Sequence, residues 1–128
     1  MNREYSMDKT YSVLIVDDEE EMRSLLAPML VQEGYEVATA FDGDDAISQL
    51  EKKSYDLLLL DIKMPHVGGF EVLKFVREHQ PHTRVIMLTA FAELANAMES
   101  RMRGADGFIG KPFDPTEVLM ELERALKQ

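Results

Sequence analysis

The stretch Val13-Leu14-Ile15-Val16-Asp17-Asp18 is a run of four apolar residues closed by two carboxylates. Such a run is too short for a helix and reads as a strand buried on both faces. The same arrangement recurs: Leu57 to Leu60 precede Asp61, Val85 to Leu88 precede Thr89, and Phe108-Ile109 stand just before Lys111. In an open parallel sheet the ligand crevice lies outside the carboxyl ends of the strands. Three carboxylates, a hydroxyl and an ammonium are therefore expected to meet at one place.

Between these runs the apolar period changes to that of a helix. Met22, Leu25, Leu26, Met29 and Leu30 share one predicted face, and Gly34 supplies the helix end. Pro28 falls inside this helix, where its missing N–H and its ring predict a kink or local loosening. Tyr35 to Ala40 reads as a second strand, and Asp42 can cap a helix carrying Ala46, Ile47 and Leu50. Asp56 to Leu60 forms the third strand. After Pro65 and Gly68-Gly69 comes a helix with Phe70, Leu73 and Val76 inward, stopped before Pro81. Arg84 to Leu88, a helix over Ala92 to Arg103 ended by Gly104, and a short strand over Asp106 to Ile109 continue the alternation. Asp114-Pro115-Thr116-Glu117 offers a cap, a first-turn proline and an acid three residues on, ahead of Val118, Leu122 and Ala125. The expected fold is α/β, a doubly wound, five-stranded parallel sheet flanked by five helices in a single domain.

Composition narrows the functions open to such a domain. The 128 residues suit one core, and a formal net charge of −10 is a poor match for DNA or RNA, whose affinity comes from Lys and Arg neutralising phosphates. Direct nucleic-acid binding is therefore excluded for this segment. With no cysteine there is neither a disulfide framework nor a thiolate metal site, which is compatible with a reducing cytoplasm. No stretch approaches the ~18 apolar residues of a membrane span, so a cytoplasmic domain is expected. Residues 1–11 read as a polar, flexible extension ahead of a domain over 12–128.

The expected cluster has a definite chemistry. Asp17, Asp18 and Asp61 offer the hard oxygen ligands that Mg²⁺ prefers. Asp61 is also a candidate nucleophile toward a phosphorylated donor, with Lys111 and the Thr89 hydroxyl able to stabilise the equatorial oxygens. Without metal the three acids repel one another, so at least one should hold a raised pKa. Taken singly, each residue has a plainer reading. Asp17-Asp18 could cap a helix, Asp61 could start a turn, Thr89 could be a cap and Lys111 a solvated loop lysine. His66, His79 and His82 lack the spacing of a metal pair and read as surface residues.

Taken as a set, Val16-Asp17-Asp18-Glu19, Asp61-Ile62-Lys63-Met64-Pro65, Gly68-Gly69, Leu88-Thr89-Ala90, Gly104-Ala105-Asp106 and Lys111-Pro112-Phe113 closely resemble the receiver domain of two-component response regulators, of the chemotaxis-regulator kind. The resemblance implies a flavodoxin-like fold and a phosphorylation-activated signalling switch. It implies that Asp61 accepts phosphate from a sensor histidine kinase or phosphotransfer protein. It further implies that Asp18 and Asp61 bind Mg²⁺ directly, Asp17 mostly through water, and the backbone carbonyl of Lys63 completes the protein ligands. Thr89 and Lys111 would contact the phosphoryl group, and the Lys111-Pro112 bond would be cis. Phe108 stands where the family carries its rotating aromatic, so Thr89 and Phe108 would form the switch. Lys63 and Phe91 would tune phosphoryl lifetime. The partners so implied are a kinase, a downstream target or output domain, and in some members a phosphorylation-dependent homodimer. Val67 departs from the small acidic turn common in the family without touching the five site residues.

Two other classes of function compete. A phosphatase with an aspartyl nucleophile would carry a second acid where Lys63 stands. A phosphorylation-independent interaction module would be favoured by loss of an acid, the acceptor or the lysine, and none is missing. A dinucleotide-binding domain would need a glycine-rich turn after the first strand. On this reading the protein is a switch, not a turnover enzyme. The sequence leaves open whether the chain stands alone or begins a longer regulator.

Overall fold

The computed structural model describes residues 9–90 and 104–127. Five strands form one sheet: β1 (Ser12–Val16), β2 (Glu36–Ala40), β3 (Leu57–Asp61), β4 (Arg84–Ala90) and β5 (Gly107–Lys111). Their order is β2-β1-β3-β4-β5 and every neighbouring pair is parallel. Four helices lie among the described residues: α1 (Glu20–Gln32), α2 (Gly43–Lys52), α3 (Gly69–His79) and α4 (Pro115–Leu126). The helix expected over Ala92 to Arg103 lies outside the described residues.

The continuous apolar runs are explained by a sheet covered on both faces. Successive side chains of a strand point to opposite sides. Leu14, Val16, Leu58, Leu60, Val85 and Met87 accordingly pack toward α2 and α3, with Ala46, Leu50, Val72, Leu73 and Val76. Val13, Ile15, Leu57, Leu59, Ile86 and Leu88 pack toward α1 and α4, with Leu26, Leu30, Val118 and Leu122. Each fully buried Leu of this kind contributes roughly 1.5–3 kcal/mol relative to exposure.

Local signals act where the sequence placed them. The Asp42 carboxylate accepts from the Asp45 N–H at 2.7 Å at the start of α2. Asp114 accepts from the Thr116 N–H at 2.9 Å while Glu117 accepts from the Asp114 N–H, with Pro115 at the first helical position. At the end of α1 the Gly34 N–H donates to the Val31 carbonyl and the Tyr35 N–H to the Leu30 carbonyl. This paired closure puts Gly34 at φ +97°, a conformation that only glycine adopts at little cost.

Two expectations need correction, the inward face of α1 and the ends of three strands. Leu25 is 49% exposed, because the buried stripe of α1 is centred on Leu26 and Leu30, and one residue corresponds to a rotation of about 100°. Pro28, where a kink or local loosening is expected, lies exposed inside α1, which runs on to Gln32. In addition, β3, β4 and β5 run further than the apolar runs suggest, so Asp61, Thr89 and Lys111 are the closing residues of strands or lie within one residue of the end.

Candidate functional site

The register of the sheet assembles the site. Val16 pairs with Leu60, Asp61 with Leu88, Thr89 with Gly110 and Ala90 with Lys111. The ends of β1, β3, β4 and β5 are thereby brought level. A cleft of about 310 Å³ opens there, lined by Asp18, Glu19, Asp61, Ile62, Lys63, Ala90 and Lys111. The side chain of Thr89 and all of Phe91 lie outside the described residues; the backbone of Thr89 sits one residue before Ala90 on β4.

Asp17, Asp18 and Asp61 each turn one carboxylate oxygen into a group whose members lie within 4.8 Å of one another. Asp17 is fully buried and Asp18 is exposed. The Asp17 Oδ1 accepts from the Glu19 N–H at 2.9 Å, and its main-chain carbonyl accepts from the Arg23 guanidinium at 2.7 Å. Neither aspartate caps α1, whose N-cap is Glu19 and whose first turn has no side-chain cap. The cap alternative thus fails for this acid pair.

Lys111 enters from the other side. Its Nζ lies 3.1 Å from Asp17 Oδ2, 3.6 Å from Glu19 Oε1 and 3.7 Å from Asp61 Oδ2. Burial works against the Lys111 ammonium, but Asp61, Asp17 and Glu19 outweigh it and hold its pKa above the ordinary lysine value. The plain reading of a solvated loop lysine does not survive.

Asp61 is 6% exposed, and its carboxyl is pushed up to about 7. Burial is the largest cause and the charge of Asp17 the next, with Asp18 adding a little. Lys111 and the Lys63 N–H, which donates to Asp61 Oδ1 at 3.3 Å, pull the other way without prevailing. The cluster thus carries more negative charge than its lysine compensates.

One close approach lies at the acceptor itself and a second between the neighbouring elements. The Gly69 N–H donates to the Ile62 carbonyl at 3.0 Å, and a Cβ at Gly69 would fall on the carbonyl oxygen of Asp61. Only glycine lets α3 start so near the end of β3. Likewise a Cβ at Gly43 would strike Val67, which packs against the α2/α3 core. The Lys111-Pro112 peptide is cis. Phe108 is half-buried against the same core, and Lys63 is exposed at the rim of the cleft. His66, His79 and His82 are all exposed.

Sequence reading placed Glu19 within the Val16-Asp17-Asp18-Glu19 motif without giving it a role, and missed Arg23. Nothing local marks Glu19 as a lysine partner, since a glutamate ahead of a helix is usually a helix-terminus residue. Arg23 grips the main chain of Asp17, and a guanidinium-to-carbonyl contact leaves no compositional trace.

A five-stranded parallel sheet in this order, with an acid cluster and a lysine at its carboxyl edge, is the architecture of a flavodoxin-like receiver fold. The chain belongs to the response regulator receiver domain family, whose model matches residues 13–123. It is 41% identical over 124 residues to the transcriptional regulatory protein ResD of Bacillus subtilis, covering 95% of this chain and 51% of that protein. It is 39% identical over 116 residues to the transcriptional regulatory protein SrrA of Staphylococcus aureus, covering 91% and 48%. The chain spans about half the length of these curated relatives. Among solved structures it is similar to the chemotaxis protein CheY4 of Vibrio cholerae, with a TM-score of 0.85 and 35% identity over 91% of this chain and 99% of that one. It is also similar to NtrX of Brucella abortus, with a TM-score of 0.88 and 33% identity over 93% of this chain and 27% of that chain.

Proposed function

We propose that this domain is a phosphorylation-activated switch that accepts a phosphoryl group on Asp61, in a reaction assisted by Mg²⁺, from a sensor histidine kinase or phosphotransfer protein. One observation carries the reading: the Asp61 carboxylate lines an open cleft, 3.7 Å from a lysine and with an oxygen within 4.8 Å of those of two more aspartates. Family membership supports the same conclusion.

The donor set fits the metal. Three hard carboxylates with surplus negative charge suit a small divalent cation that keeps several waters. Asp18 and Asp61 would hold it directly and Asp17 through water, with the backbone carbonyl of Lys63 as the remaining protein ligand. When bound, Mg²⁺ supplies neutralisation of charge on the transferring oxygens. The chain's own residues do the rest. A carboxylate oxygen of Asp61 forms the new O–P bond as the P–N bond of the phosphohistidine breaks, and the imidazole leaves with the electron pair of that bond. Lys111 gives the phosphoryl group a fixed positive partner, and the Thr89 hydroxyl donates to a second oxygen.

The added phosphoryl brings about −1.5 to −2 charges and three acceptor oxygens. Drawing Thr89 inward would vacate space beside β5 for Phe108, changing the face that a downstream target or output domain reads. The longer relatives are transcriptional regulatory proteins, which supports an output partner. We place the protein in the cytoplasm and regard it as a switch that assists its own phosphorylation and dephosphorylation, not as a turnover enzyme. Lys63 and Phe91 flank the approach of hydrolytic water; exchanging them should change the decay of the phosphorylated form, and unchanged decay would remove that role.

The test is intact mass after incubation with acetyl phosphate, with and without Mg²⁺, for the parent and Asp61→Asn. One phosphoryl adduct that needs both Mg²⁺ and Asp61 is the expected result. No adduct in the parent, with acetyl phosphate or with a purified sensor kinase as donor, would favour a phosphorylation-independent interaction module.

A further inference from the structure

Three carboxylates surround the Lys111 ammonium, and they are not equivalent. Asp17 is fully buried, Asp61 is nearly so, and the Glu19 side chain is 60% exposed at the mouth of the cleft. The main chain of Glu19 is fixed: its N–H donates to Asp17 Oδ1, and its carbonyl accepts from the N–H groups of Met22 and Arg23. Its side chain makes no cap to α1, although it occupies the N-cap position. The carboxylate instead reaches toward Lys111, at 3.6 Å, and lines the cleft.

We propose that Glu19 is a built-in competitor for the phosphoryl group, an exchangeable anion that covers Lys111 in the resting domain and must give way when an anionic donor enters. This rests on Asp61 being the phosphoacceptor. Of the three partners only Glu19 can leave at small cost, because an exposed ion pair is weak and its carboxylate returns to water. Asp17 would have to carry its charge out of a buried site. Glu19 is thus a positioning residue that acts through Lys111. It sets how much donor is needed without taking part in the bond exchange.

The consequence is a split between apparent donor affinity and maximal rate. Removing an exposed pair of this strength should raise the slope of phosphorylation rate against acetyl phosphate about two- to fivefold at low donor, with little change in the plateau at saturating Mg²⁺. Glu19→Gln removes the charge and Glu19→Asp keeps the charge but shortens its reach. Both should show the rise. Glu20→Gln, which removes an equal charge one residue further into α1, should show less than half of it. A second readout needs neither metal nor donor. Acetylation of Lys111 by an N-hydroxysuccinimide ester, mapped by mass spectrometry against the exposed Lys127, should speed up in Glu19→Gln and Glu19→Asp by the same factor.

Equal slopes for the parent and Glu19→Gln, or an equal rise in Glu20→Gln, would overturn the proposal, as would parent-like behaviour of Glu19→Asp. If the parent forms no adduct at all, the acceptor reading fails. The labelling arm then still decides whether Glu19 covers the lysine: unchanged labelling overturns that as well.

Discussion

The two ends of the sheet solve the burial of charge in opposite ways. At the carboxyl end, Asp17, Asp18 and Asp61 crowd together around one lysine, and the Asp61 carboxyl is left at about 7. At the amino end, Asp106 Oδ2 accepts from the Val85 N–H at 2.8 Å and faces the Arg77 guanidinium at 3.2 Å. Arg77 also donates to the carbonyls of Thr83 and Pro81, and the Thr83 hydroxyl donates to the Tyr55 carbonyl at 2.7 Å. Arg124 closes the group by donating to the Asp106 carbonyl at 2.9 Å. One end is a hydrogen-bonded network tying α3, β3, β4, β5 and α4, in which, among the described residues, the Arg77 Nε alone is left without a partner; the other is an unbalanced cluster open to a ligand. The excess charge lies at the end of the sheet where the proposed chemistry takes place, and the bonded network lies at the other.

The largest effect that could break this contrast is at Asp61. Its folded pKa, about 7, lies above the ordinary 3.8, so between those values the folded protein holds a proton that the unfolded chain has lost. The penalty is therefore absent below about pH 4, grows as pH rises through that window and is complete above about pH 7, with an upper bound of about 4 kcal/mol. Asp61→Asn should unfold at higher urea than the parent near pH 8 without divalent cations, and the gap should close toward pH 4. Adding Mg²⁺ should stabilise the parent at pH 8 and leave Asp61→Asn nearly unmoved. A parent no less stable than the variant at pH 8 would show that the carboxyl end carries no excess charge.

Next in size is Asp106→Ala, of the opposite sign. It takes away the ion-pair partner of the Arg77 guanidinium, which keeps its bonds to the Thr83 and Pro81 carbonyls, and leaves the Val85 N–H without an acceptor, for which a loss of about 2–3 kcal/mol is expected in urea unfolding, independent of Mg²⁺. A loss that Mg²⁺ restores would mean that the two ends are coupled. Smallest is Thr83→Val, which removes one buried hydroxyl and orphans the Tyr55 carbonyl. It should cost about 1 kcal/mol. A loss as large as that of Asp106→Ala would show that the amino-end bonds act as a unit, not as separate increments.

The carboxyl end was far more legible in the sequence than the amino end. Four apolar runs with polar closures announce parallel strands, and topology alone puts their ends together. Asp42, Asp114 and Gly34 likewise carry local signals that need no tertiary context. Arg77 and Asp106 are separated by 29 positions along the chain and meet only through packing of α3 against the start of β4. Glu19 was given no role because a side chain's choice between a helix N–H and a lysine depends on distances that spacing does not encode. Leu25 was misjudged because a helical stripe has edges, and periodicity sees a wide face where packing uses a narrower one.

The β1–β3 pairing described above has a consequence for signalling fidelity. All of the sheet's pairings are parallel, so no hairpin can seed them, and the strand that leads into Asp17 pairs with the strand bearing Asp61 across the intervening β2 and α2. A copy in which β1 and β3 are unpaired therefore lacks the acid cluster of the cleft. On the proposed function, phosphate would be received only by molecules whose central strands have closed, so the modification would report the integrity of its carrier as well as the incoming stimulus.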